Sequence, residues 1–158
     1  MKSLRYIVRA SIIAGIYAVL TYFLKPISYG PLQVRVSEAL TLLPLIESSA
    51  VPGLFVGCFL ANLLGGLGPW DVYGGSLITL AAAYLTSKMP NPFLGALPPI
   101  ILNAVGVSYY LSLLYGLPYL LTAFYIAIGE LVAVGFLGIP MLMFINRTGL
   151  IKYFEKVR

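Results

Sequence analysis

Glu38, Asp71 and Glu130 stand within or at the ends of apolar runs, where an ionisable group is costly unless it binds something. Neutral polar residues accompany them: Asn62, Asn103, and Tyr110 seven residues after Asn103 on the same helical face. Carboxylates accept hydrogen bonds, a phenol donates and an amide does both, so the set suits a ligand recognised by hydrogen bonds and charge. It does not suit ordinary hydrolysis. The chain contains no histidine, which removes the commonest general base, metal ligand and activator of a serine nucleophile. Cys58 is the single cysteine, so it reads as a packing residue rather than part of a disulfide framework or metal site. No catalytic residue, metal or cofactor is expected, and the chain does not read as an enzyme.

Each polar residue also has a plainer explanation. Asp71 can cap a helix start, where a carboxylate accepts orphan amide protons. Glu38 can pair with Arg35 at the surface, and Asn103 can tie two membrane helices together. Glu47 lies near a helix end and can snorkel to the interface. Glu130 has no local cation among Ala127, Leu131 and Ala133, so it resists this treatment best.

The elements that position these groups follow from composition. Of 158 residues, 60% are hydrophobic and 9% charged, against roughly 25% charged in a soluble domain. A water-soluble globule is excluded. Apolar runs between Gly, Pro and charged punctuation predict six membrane helices, at 8–24, 37–50, 51–66, 71–88, 93–115 and 118–146. The fold class is thus an all-α integral membrane protein, with residues 1–158 as one six-helix bundle domain and the second and third spans as a tight hairpin. An N-terminal signal peptide is the rival reading of the first span, but no small-x-small cleavage site follows it.

Six spans put both termini on one side, with Lys2, Arg5, Arg9, Lys88, Arg147, Lys152, Lys156 and Arg158, and leave only Lys25 and Arg35 opposite. The positive-inside rule makes the termini cytoplasmic and the connections 25–36, 66–70 and 115–118 external. Nearly all the polar groups then fall in the outer half of the bundle. The net charge of +5 suits anionic lipid headgroups, and no nucleic-acid motif is present.

Small residues recur every fourth position in the first span (Ala10, Ala14, Ala18, with Ser11 and Gly15 beside them) and in the third (Gly53, Gly57, Ala61, Gly65). Such stripes let helices approach closely, inside the bundle or against a partner. The segment from Asn62 to Asp71 is rich in glycine but lacks the Gly-Lys-Ser/Thr ending of a phosphate loop. Its glycines allow a sharp turn and close approach to a ligand, and Trp70 and Tyr73 can stack on a flat ring. Glu38, Asp71 and Glu130 against Arg35 and Lys25 leave one excess negative charge (three minus two). A ligand with several N–H donors or a positive charge fits that balance. No ATPase motif is present and no inverted repeat is apparent, so active transport requires a partner or an ion gradient.

Two motifs carry a family resemblance: Gln33-Val34-Arg35-Val36-Ser37-Glu38-Ala39-Leu40-Thr41-Leu42-Leu43-Pro44, and Asn62 to Asp71. With them the chain resembles the substrate-binding (S) components of energy-coupling-factor transporters, specifically the QueT group that imports queuosine precursors. The resemblance covers essentially the whole chain. It implies a six-helix subunit in a prokaryotic plasma membrane, whose first and third connections lid an outward-facing site, with Gln33, Arg35, Glu38, Asn62 and Asp71 at or near the ligand. It also implies a transmembrane coupling subunit, contacted by Ala10, Ala14 and Ala18, and two cytoplasmic ATPase subunits. Asn103 and Glu130 join the site on the residue argument alone.

A deazaguanine fits these residues: Glu38 or Asp71 can accept from its guanine edge, Asn can serve the ring carbonyl, and Trp70 or Tyr73 the ring face. Two other readings stand beside this one. The cargo can be another vitamin or purine-like molecule on the same scaffold, or the chain can be a membrane-embedded enzyme acting on lipid substrates, which the lack of histidine and of an Asp-rich metal motif disfavours.

Overall fold

The computed structural model describes residues 2–29 and 33–153. Lys156, Arg158 and the side chain of Lys2, three of the bases behind the orientation argument, lie outside what is described. Among the described residues the fold is all helix. It comprises α1 (Lys2–Phe23), the short α2 (Lys25–Ser28), α3 (Val36–Leu45), α4 (Ala50–Gly65), α5 (residues 70–86), α6 (Pro92–Tyr115), α7 (Tyr119–Arg147) and a closing turn at Leu150–Tyr153. Every expected span overlaps one of these helices, the second only over residues 37–45.

Three of them are long and apolar enough to cross a membrane: Leu4–Phe23, Pro92–Tyr115 and Tyr119–Arg147. The others are shorter. The expected second span, 37–50, is a ten-residue 3-10 helix, Val36–Leu45, containing Pro44. Proline supplies no backbone N–H, and the 3-10 rise of about 2 Å per residue stretches ten residues over roughly 20 Å. Helix α2 falls in a segment read from the sequence as a plain connection.

The packing runs inside out by the standards of a soluble protein. Large apolar side chains such as Ile12, Ile16, Leu60, Leu64, Ile101 and Val105 are exposed. Small and polar ones are buried, including Thr21, Ser37, Thr41, Ser76, Thr79 and Ser108. That distribution suits hydrocarbon, which rewards apolar surface outside and close backbone contact within.

Helix α4 shows how the close contact is made. Gly53, Leu54, Gly57, Cys58, Ala61, Asn62 and Gly65 form its buried face, at helical spacing. A Cβ on Gly53 would lie 2.8 Å from the Ala10 carbonyl oxygen, and one on Gly57 would lie 2.8 Å from Tyr17 Cβ and 3.0 Å from the Ala14 oxygen. The two small-residue stripes therefore pack on each other. Ala14 and Ala18 are buried in that contact, whereas Ala10 is half-buried and Ser11 and Gly15 are exposed. Ala10 and Ala14 also line an open groove with Tyr6, Ser11, Pro52 and Val56.

Glu47 corrects another expectation. It does not snorkel: it is 1% exposed, 3.0 Å from Arg9, and accepts from the Ser49 backbone N–H and hydroxyl. Arg9 also donates to the Tyr153 carbonyl at 2.7 Å, which fastens the chain's closing turn to α1.

Candidate functional site

The polar residues singled out from the sequence converge between helices. Glu38, on the first turn of α3, is buried and accepts from the Tyr17 hydroxyl of α1 through Oε1. It is therefore no surface partner of Arg35. Four residues on from Tyr17, Thr21 shares a 2.6 Å hydrogen bond with Ser37, so α1 grips the start of α3 at two successive positions.

Asp71 sits in the π-wound start of α5 (Trp70–Gly75). Its Oδ1 accepts from the Tyr110 hydroxyl of α6 at 2.9 Å, and its carbonyl oxygen accepts from Asn62 Nδ2 of α4 at 2.7 Å. Its carboxylate thus engages a neighbouring helix rather than an amide of its own helix start. Glu130, buried at 3% exposure, precedes a second π-wound segment, Leu131–Gly138 in α7. Asn103 of α6 donates to its Oε1 at 2.8 Å. This is the interhelical bond expected of Asn, with one of the candidate acids as its partner. Both of these acids thus adjoin π-helical turns, which favour functional positions in helices.

Arg35 precedes α3 and is itself buried. Its guanidinium stacks on the Tyr29 ring, 5.4 Å from the centroid, and stands within electrostatic reach of Glu38, Tyr17, Tyr110 and Glu130. Tyr29 reaches across to donate to the Ala61 carbonyl at 2.7 Å. Partial burial pushes its phenol above the ordinary value against the pull of Arg35, so it acts as a neutral donor. A Cβ on Gly65 would sit 2.6 Å from the Tyr29 hydroxyl oxygen, which makes glycine the condition for that ring to seat.

These atoms are incompletely satisfied. Among the described residues, Arg35 Nε, Glu38 Oε2, Asn62 Oδ1, Ser108 Oγ and Glu130 Oε2 are buried without a hydrogen-bond partner, as is Ser28 Oγ at the end of α2. Native interiors leave few such groups, and a buried polar network left half satisfied is costly unless something else completes it.

The other expected site residues are placed differently. Trp70 and Tyr73 are 58% and 63% exposed, with Tyr73 edge-on to Phe59, so the structure does not bring them to the buried cluster. Lys25 is exposed and lies over the Tyr22 ring. Gln33 is half-buried at a positive φ of 45°, lining an open pocket of about 490 Å³ with Tyr29, Leu117 and Tyr125. The aromatic groups at the cluster are instead Tyr17, Tyr29 and Tyr110. Tyr17 was missed from the sequence. Its signal was present in the i, i+4 pair with Thr21, two polar groups on one face of an apolar helix.

Comparison with known proteins agrees with the motifs. A stretch of 83 residues is 40% identical to the Queuosine precursor transporter QueT of Lactococcus lactis subsp. cremoris, covering 50% of this chain and 48% of that protein. The chain thus spans about half the length of the curated relative it matches. No solved structure matches it. The family model for the QueT transporter matches residues 7–147, a stretch that includes every residue of the polar cluster, and the chain belongs to the QueT transporter family.

Proposed function

We propose that the chain is the substrate-capture subunit of an energy-coupling-factor importer, binding a queuosine precursor of the 7-deazaguanine type from outside the cell. Six membrane passages, with the termini in the cytoplasm, carry it. The observation that bears most weight is the set of buried, partnerless donors and acceptors contributed by α3, α4, α6 and α7 and by Arg35. Family membership supports transport, and the named relative supports the cargo class.

The subunit itself performs recognition. Glu38 accepts from the N–H and amino group along the guanine edge, Arg35 donates to the ring carbonyl, and Asp71 is held in place by Tyr110 and Asn62 to close the outer end of the site. Such a site rejects analogues without those donors, because its own polar groups would be left unpaired. Release inside is driven by a transmembrane coupling subunit and two cytoplasmic ATPases, since the chain carries no nucleotide-binding motif of its own.

Calorimetric titration of the purified, ligand-stripped chain with cyano- and aminomethyl-7-deazaguanine tests the reading, with guanine and biotin as controls. One-to-one binding of a deazaguanine, absent for biotin, is the expected result. A folded chain that binds none of them overturns the cargo.

A further inference from the structure

Every carboxylate among the described residues, Glu38, Glu47, Asp71 and Glu130, is buried, whereas Arg5, Lys25, Lys88, Arg147 and Lys152 are exposed. The described surface thus carries positive charge only, and one corner gathers it. Arg5 and Arg9, one turn apart on α1, line an open cavity of about 350 Å³ with Leu4 and Val8. Arg9 donates to the Tyr153 carbonyl, and Lys152, the residue before, holds its ammonium 5.3 Å from the centre of the Tyr153 ring. The closing turn therefore brings a third base to the same place. Glu47 matches Arg9, but Arg5 and Lys152 have no ion pair among the described residues, so the described part of this corner is net positive.

An apolar track begins beside these bases. Leu4, Val8, Ile12 and Ile16 repeat every fourth residue and are all exposed, forming along α1 the kind of ridge that such rows make. From Leu4 to Ile16 it runs about 18 Å, close to one leaflet's share of a roughly 30 Å hydrocarbon core. The ridge belongs to a helix long and apolar enough to cross a membrane, and it lies off the face that packs on α4 through Ala10, Ala14 and Tyr17. Tyr6 and Tyr153 are exposed next to the bases, as tyrosines are at headgroup depth. An acidic protein surface would match the bases alone; a lipid matches the bases and the track. We propose that this corner holds an anionic phospholipid, its phosphate among Arg5, Arg9 and Lys152 and one acyl chain along the ridge. Arginine's planar fork suits phosphate oxygens, and each base beside an anionic headgroup adds its own attraction.

Native mass spectrometry of the purified full chain tests this, by titration with phosphatidylglycerol and with phosphatidylcholine of the same acyl chains. One phosphatidylglycerol is expected to be retained, at least about fivefold more tightly than phosphatidylcholine. Arg5→Gln should weaken it by about fivefold, the share of one basic residue at an anionic surface. Lys88→Gln removes the same charge from the connection between α5 and α6 and should change the affinity by less than about twofold. Equal retention of the two lipids, or equal losses in the two variants, would mean diffuse attraction to a positive surface and overturns the site. Displacement of the lipid by an equal concentration of glycerol 3-phosphate or inorganic phosphate would mean that the phosphate alone is bound, and overturns the lipid as occupant. Lipid retention unchanged in Arg5→Gln, with loss of copurifying coupling subunits, would give the corner to a protein partner and overturns the proposal as well.

Discussion

Asn103 Nδ2 donates to Glu130 Oε1 at 2.8 Å and so ties α6 to α7 through a carboxylate whose other oxygen has no partner among the described residues. Tyr17 and Glu38 repeat the arrangement between α1 and α3. In each case one hydrogen bond holds the first oxygen of a buried glutamate, and the second has no partner among the described residues. Such preorganisation lowers the ordering cost of binding, because the side chain is already held before the ligand arrives.

The Tyr17 bond is expected to matter through Glu38. Tyr17→Phe keeps the ring in its packing and removes the donor, so affinity for a deazaguanine should fall by about three- to tenfold, the worth of one hydrogen bond. Neutralising both outer acids with Glu38→Gln and Asp71→Asn should abolish measurable binding. Calorimetry on the folded variants checks both. Full affinity in the double variant would remove the carboxylates from the site.

Trp70 and Tyr73 are expected to be dispensable for affinity. Both rings are exposed although Asp71 between them is buried in the polar cluster. Trp70→Phe and Tyr73→Leu should each leave the dissociation constant within about threefold, against the ~1 kcal/mol or more that a stacked ring contributes. A tenfold loss in either would restore the stacking role expected from the sequence.

How much of this was legible in the sequence follows from which signals are local. Hydropathy placed a helix in every expected span, because lipid-facing runs announce themselves residue by residue. Glu38, Asp71, Asn103 and Glu130 stood out because polar groups are scarce there, and three of the four lie at 5% exposure or less. The pairings did not stand out. Tyr17 with Glu38, Asp71 with Tyr110 and Asn103 with Glu130 are separated by 21, 39 and 27 positions, and nothing in spacing says which helices become neighbours. The exposure of Trp70 was hidden for a related reason. In a π-wound turn the direction of each side chain departs from the α-helical pattern, and the sequence gives no notice of that winding.

The contact of α1 with α4 predicts a stability asymmetry between two glycines. Gly57→Ala places a methyl 2.8 Å from Tyr17 Cβ and 3.0 Å from the Ala14 oxygen, and backbone cannot yield as a side-chain tip does. The expected cost is about 1–3 kcal/mol, together with weaker ligand binding because Tyr17 is displaced. Gly15→Ala meets nothing within 4 Å and gains helix propensity, so its melting temperature should be unchanged or raised. Thermal unfolding in detergent compares the two. Equal losses would mean that the helices do not meet at Gly57.

Topology is tested by thiol chemistry, for which this chain is well suited. Cys58 is its one cysteine and is fully buried, so Cys58→Ala supplies a background without a reactive thiol, at the expense of weak contacts from Asn62 and Thr79. Lys88 lies between α5 and α6, and Leu117 lies between α6 and α7; both side chains are exposed. With six passages and cytoplasmic termini, these two connections are on opposite sides of the membrane. A membrane-impermeant maleimide applied to intact cells should therefore label Leu117→Cys and spare Lys88→Cys until the membrane is opened. The opposite pattern would invert the orientation drawn from the basic residues. Labelling of both from outside would mean that α6, the 24-residue helix Pro92–Tyr115, does not cross the bilayer, although its length of about 36 Å exceeds the roughly 30 Å of hydrocarbon it must span.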